Sequence, residues 1–154
     1  MQVVIYILIA IGSFLGMEGV AWLAHKYLMH GLLWNLHEDH HHKEQYGFLE
    51  HNDFFFLIFA TPGIACLALG IYTEATFALY IGIGITAYGF CYFIVHDIFI
   101  HQRIKWFRNT NNSYLLGIRR AHKMHHKHLG KEHGECFGML WVPMKYFRDK
   151  KTAA

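Results

Sequence analysis

Residues 3–24 read VVIYILIAIGSFLGMEGVAWLA, and the chain continues directly into HKYLMH at 25–30 and HEDHHH at 37–42. A run of this length with a single charge, Glu18, is long enough to cross ~30 Å of hydrocarbon at a helical rise of about 1.5 Å per residue. No basic segment precedes it and no small-residue cleavage site accompanies it, so it reads as a retained anchor, not a signal peptide. The change at residue 25 from apolar to histidine-rich chain decides the reading: a membrane helix that ends in imidazoles.

Two further apolar runs follow, at 54–72 and 75–95, separated by the polar Thr73-Glu74 that marks a tight hairpin. Pro62 in the second run predicts a kink, which membrane helices tolerate where neighbours satisfy the freed carbonyl. Gly82, Gly84 and Gly89 in the third permit close helix contact. The chain has 154 residues, of which 54% are hydrophobic and 17% aromatic, blocked into runs instead of interleaved with polar residues as in a soluble core. The fold class this implies is all-α: an integral membrane helical bundle, one domain over 1–154, with a cytosolic histidine-rich helical cap.

Three spans put the termini on opposite sides. All fourteen lysines and arginines fall within 26–53 and 96–154. The positive-inside rule therefore predicts an outer N-terminus and a cytosolic C-terminus. Cys66, Cys91 and Cys136 show no metal-binding or redox spacing, and disulfides are not expected. A net charge of +3 without a basic stripe interleaved with exposed aromatics argues against nucleic acid as a partner.

Fourteen histidines are the unusual feature, and every one lies on the cytosolic side. Their spacing repeats. His25-x4-His30 closes the first span and His37-x2-His40-His41 follows it; His96-x4-His101 closes the third span and His122-x2-His125-His126 follows after a longer linker. Residues at i, i+3 and i+4 share a helical stripe, so each triplet can aim three rings at one point. The i,i+5 pairs fit an ideal helix less well: the two rings serve different metals, or a local bulge re-aims one. His42, His51, His128 and His133 stand outside the repeat and read as surface or supporting groups.

Ten imidazoles over two metals leave about five each, more than the four that zinc prefers. Imidazole alone also suits copper, iron or nickel. High coordination with an open position favours redox-active iron. The segment His37-Glu38-Asp39-His40-His41 also satisfies HExxH, the helix-borne zinc-peptidase motif, with Glu38 as general base. That alternative employs only His37, Glu38 and His41, and the second copy has Lys123 where the base would stand. A metal transporter would need ligands near the bilayer midplane, where this chain has none.

Beyond the histidines, the chain resembles the fatty acid hydroxylase superfamily of integral-membrane non-haem diiron enzymes, and within it the bacterial-type β-carotene hydroxylases. The likeness rests on Glu18-Gly-Val-Ala-Trp22 leading into His25 to Gly31, Asn52-Asp53 opening the second span, and His96-Asp97 through His101-Gln102-Arg103. It continues in Arg120-Ala-His122 and in Phe137-Gly138-Met-Leu-Trp-Val-Pro143. The resemblance implies O2-dependent monooxygenation of β-carotene at C3 of each ring, through β-cryptoxanthin to zeaxanthin. It also implies two non-haem iron ions, a ferredoxin-like electron donor and a bacterial inner-membrane location. A sterol or fatty-acyl substrate is the alternative within the superfamily.

Metal-bound histidines usually donate their other ring nitrogen to a carboxylate or carbonyl. Asp97, Glu18 and Asp53 are the candidates for that role, with Glu38 and Asp39 also in reach by sequence. Glu18 is the most unusual of these, because a carboxylate within a span generally has a partner or a function. The aromatic residues near the cytosolic ends, among them Trp22, Trp34, Tyr88 and Tyr92, read as interface belt and packing. Gly138 to Phe147 reads as an interfacial segment over the site, its basic end toward anionic lipid.

Overall fold

In a computed structural model, which describes residues 1–42, 49–107 and 109–147, the chain is helical with no strand among the described residues. Helix α1 (Gln2–Leu23) passes without a break into a π-helical segment, Ala24–Leu32, and Gly31 then leaves helical angles (φ −122°, ψ −111°) to turn the chain into α2 (Trp34–His41). A 3-10 turn, His51–Asp53, opens α3 (Phe54–Tyr72). Helix α4 (Thr76–Tyr92) runs into a second π-helical segment, Phe93–Ile100. Helix α5 (Ser113–His125) and a 3-10 turn, Met144–Tyr146, complete the described chain.

The continuous helices Gln2–Leu32, His51–Tyr72 and Thr76–Ile100 have 31, 22 and 25 residues and are long and apolar enough to cross a membrane. At 1.5 Å per residue the first is about 46 Å long, well beyond ~30 Å of hydrocarbon. Its excess carries the first histidines. No residue of α1 is buried within the protein, and Val3, Val4, Ile7, Leu8, Ile11 and Leu15 are all exposed. A helix apolar on every face, with no residue buried by protein, is suited to lipid.

Helix α4 is the centre of the bundle, packing against both α1 and α3. Glycine makes both approaches possible. A Cβ on Gly82 would lie 2.7 Å from the Leu67 backbone nitrogen in α3, and one on Gly84 would press on the Ala10 carbonyl and come 2.7 Å from Ser13 Cβ in α1. Gly89, expected to serve the same contact, faces open space. Pro62 lies within α3 without ending it.

The cap has its own apolar core, built from Phe99 and Ile100 at the end of the third long helix, Ile118 and Ala121 of α5, and Met139, Val142 and Tyr146 of the C-terminal segment. Asn112 caps α5, its Oδ1 accepting from the Leu115 N–H at 3.0 Å. Arg119 donates to the Phe99 carbonyl at 3.0 Å and stacks on the Phe99 ring, and Arg120 donates to the Tyr146 carbonyl at 3.2 Å. The basic end of the tail, assigned to the lipid surface from sequence, lies outside the described residues.

Substituting Gly84→Ala inserts a methyl where α1 and α4 touch, and should destabilise the bundle by about 1–3 kcal/mol. Gly89→Ala, in open space, should be neutral or slightly stabilising, since alanine is the better helix former. Thermal melting in detergent checks both, and equal melting temperatures for the two variants would contradict the packing described.

Candidate metal centre

All ten repeat histidines converge in the cap, and the two π-helical segments explain how. In each, an i→i+5 hydrogen bond replaces the α-helical one: His101 N–H donates to the His96 carbonyl at 2.9 Å, and Leu33 N–H to that of Leu28 at 2.8 Å. This widened turn brings residue i+5 over residue i. The His25 and His30 rings therefore lie 5.2 Å apart and those of His96 and His101 4.5 Å apart, each pair on one site. Of the two geometries that the spacing leaves open, the structure has the bulge.

The triplets behave differently from the one-point geometry expected of them. His37 and His41 join His25, His30 and His125 in one group, while His40 joins His101, His122 and His126 in another, the ligand atoms within each group lying within 4.8 Å of one another. His96 belongs with the second group, its Nε2 3.1 Å from that of His40. In each triplet the i and i+4 rings stay with their own half, and the i+3 ring, His40 or His125, crosses to the other. The physical reason is angular: on a helix three residues fall short of a full turn and four exceed it, so the i+3 ring can face a second site.

Ring orientation is set from outside. Nδ1–H of His25 donates to the Phe137 carbonyl (3.0 Å), His30 to Lys131 (3.1 Å), His41 to His128 (3.0 Å) and His125 to Glu135 (2.9 Å). His37 Nδ1 donates to Asn52 Oδ1 at 2.7 Å, His40 to Glu50 Oε2 at 2.7 Å and His96 to Asp97 Oδ2 at 3.3 Å. A carbonyl only accepts, so the proton sits on Nδ1 and the Nε2 lone pair points inward. His30 Nε2 and His125 Nε2 thus face each other across 3.2 Å with no proton to share. Such lone pairs repel unless a cation lies among them, and the donor set fits a metal.

Arg103 organises the acids of the second group. Its guanidinium pairs with Glu50 (2.9 Å), Asp53 (2.8 Å) and Asp97 (3.2 Å), and Asp53 Oδ2 also accepts the Glu50 backbone N–H at 3.0 Å. Burial lifts the Glu50 carboxyl above its ordinary range against the pull of Arg103. Of the three carboxylates singled out by sequence, only Asp97 reaches a histidine. Asp53 acts on Glu50 and Arg103, while Glu18 binds the backbone of residues 139–141 and the Tyr88 hydroxyl. Glu50, Asn52 and the four carbonyls are what sequence reasoning missed, although Asn52 stands in the motif that opens the second span.

The peptidase alternative loses its base here. Glu38 is exposed, 4.0 Å from His42 on the outer face of α2, while His37 and His41 are buried on the inner one. His51 pairs with Asp39 at 3.2 Å and His133 is 85% exposed, both outside the two groups.

These features define an integral-membrane protein with two histidine clusters at the ends of its spans. A fatty acid hydroxylase family model matches residues 10–144, and the chain belongs to that family. It is 42% identical over 136 residues to a protein named β-carotene hydroxylase from Pantoea ananas, the match covering 88% of this chain and 77% of that one. A β-carotene hydroxylase of Pseudescherichia vulneris is 40% identical over 136 residues (88% and 76%), and one from a Paracoccus species 34% over 137 residues (88% and 83%). No solved structure matches the chain.

Burial, aided by neighbouring rings, holds four of the clustered histidines neutral: it depresses His41 to about 4, His125 to about 3, and His37 and His101 to about 2, from an ordinary 6.5. A folded-state pKa below the unfolded one means that the unfolded chain takes up protons first as pH falls. Their contribution to stability is therefore complete above about pH 6.5 and declines as pH falls below it. The metal-free protein should lose melting temperature steadily from about pH 6.5 to about pH 4. A flat melting profile over that window would contradict the buried, neutral rings.

Proposed function

We propose that the chain is a non-haem diiron oxygenase that hydroxylates β-carotene at C3 of each ring, through β-cryptoxanthin to zeaxanthin. The observation that supports it most is the facing of unprotonated Nε2 atoms, His30 against His125 in one cluster and His40 against His96 in the other, at the ends of apolar helices, in a chain whose relatives carry the name β-carotene hydroxylase. In this reading His25, His30, His37, His41 and His125 hold one iron, and His40, His96, His101, His122 and His126 the other. An unactivated ring C–H lies beyond side-chain acid–base or nucleophilic chemistry, and a bound iron pair supplies the O2-dependent oxidation that it requires.

The protein's own part is orientation and exclusion of water. The carbonyls of residues 128–137 keep protons on the outer nitrogens of the first cluster, and Glu50 and Asp97 do so for His40 and His96. Trp34 and Phe137 pack against the first cluster, with ring centroids 5.1 Å and 5.2 Å from that of His30, and Tyr92 lies 4.9 Å from His96. These aromatic groups close the clusters toward their surroundings with apolar surface. A carotenoid is apolar and about as long as a bilayer is thick, so it can lie among the spans with one ring at the clusters. The second ring requires release and re-entry. The positive-inside distribution supports an outer N-terminus and a cytosolic site, reached there by a ferredoxin-like electron donor.

Expression in cells that accumulate β-carotene should yield zeaxanthin with β-cryptoxanthin as intermediate, read by pigment chromatography. His125→Ala should abolish product, a loss on the order of a hundredfold or more, since it removes a ligand and leaves its partners unmatched. His133→Ala, at an exposed position, should retain it. Unchanged β-carotene beside folded, iron-loaded protein would exclude this substrate, and equal loss in the two variants would refute the ligand assignment.

A further inference from the structure

Glu18 lies in α1, seven residues before His25, and touches no histidine. Its Oε1 accepts the three consecutive backbone N–H groups of Met139, Leu140 and Trp141, each at 2.9 Å, while Oε2 accepts the Tyr88 hydroxyl at 2.7 Å. Successive N–H groups wrapped on one oxygen form an anion nest. The approach is tight: a Cβ on Gly138 would lie 2.6 Å from the Trp141 carbonyl oxygen and 3.1 Å from Glu18 Oε1.

The chain immediately upstream of the nest faces the first histidine cluster. The Phe137 carbonyl holds His25 Nδ1, the Glu135 carbonyl holds His125 Nδ1, and between them Cys136 adopts a left-handed conformation (φ 62°) that turns both carbonyls to their rings. The Phe137 ring packs on His25 and His125 with centroids 5.4 and 5.3 Å away. The segment is thus clipped to the continuous helix Gln2–Leu32 at two points about two turns apart, Glu18 and His25. The anchors of the second cluster, Glu50 and Asp97, come from elsewhere.

We propose that Glu18 is a positioning residue whose carboxylate seats the segment Gly138–Trp141 and thereby sets His25 and His125, tuning the first cluster and not the second. The consequence for metal loading rests on the diiron reading above; the seating does not.

The test uses the full chain in lipid nanodiscs as wild type, Glu18→Ala, Glu18→Gln and Gly138→Ala, with two readouts. Amide exchange at residues 139–141 should become about tenfold faster in Glu18→Ala and Gly138→Ala, with α3 unchanged. Iron per chain after loading should fall from two to about one as the first cluster loosens. Glu18→Gln keeps an acceptor oxygen and should retain more protection and more iron than Glu18→Ala. If Glu18→Ala does not fold, the Gln variant and Gly138→Ala, which loosens the nest from its other side, carry the same comparison. Wild-type exchange in all variants, or exchange rising equally across α3, overturns the proposal. A wild-type chain that takes up no iron would refute the diiron reading, while the exchange data still judge the seating.

Discussion

An imidazole has two nitrogens, and fixing the proton on one commits the other to accept. The cap is organised around that constraint. Seven of the ten histidines have Nδ1 tied to an oxygen, and the free edges of the rings are thereby turned inward. Much of the remaining architecture serves to deliver those oxygens. The chain between α5 and the C-terminal turn brings four carbonyls, the 3-10 turn before α3 and its cap bring Asn52 and Glu50, and Arg103 keeps Glu50 and Asp97 in place. The apolar helices supply the fixed posts: α4 binds α1 and α3 through glycine contacts, so the two π-helical ends emerge side by side.

The spans and the twofold histidine repeat were legible in the sequence because both depend on what side chains are and how far apart they stand. The apolar runs at 3–24, 54–72 and 75–95 lie within the long helices Gln2–Leu32, His51–Tyr72 and, but for Ala75, Thr76–Ile100, the first and third running on past their apolar runs, and every repeat histidine reaches the cap. Less legible was how the rings divide. An i,i+5 spacing does not by itself encode a π turn, and the crossing of His40 and His125 depends on where a second cluster lies in space. The anchors were harder still. A backbone carbonyl has no residue-type signature, so the oxygens of Phe137, Lys131, His128 and Glu135 leave no trace in composition or spacing. Glu18 was conspicuous as a carboxylate in a span, yet three of its partners are backbone amides more than a hundred residues away.

The two clusters share imidazole chemistry but differ in what stands behind it. All five anchors of the first are neutral: four carbonyls and the Asn52 amide oxygen. In the second, His40 and His96 lean on the carboxylates of Glu50 and Asp97, which share Arg103 as counter-charge. An imidazole hydrogen-bonded to a carboxylate is a more basic ligand than one bonded to a carbonyl. Two rows of identical side chains, related by a sequence repeat, therefore make two electronically distinct sites. The difference arises at the outer nitrogens, where the repeat ends: the first half of the chain sends its i+3 histidine to the acid-backed cluster, the second half sends its own to the carbonyl-backed one. Each half of the repeat thus contributes to both environments, and neither cluster can form from one half alone.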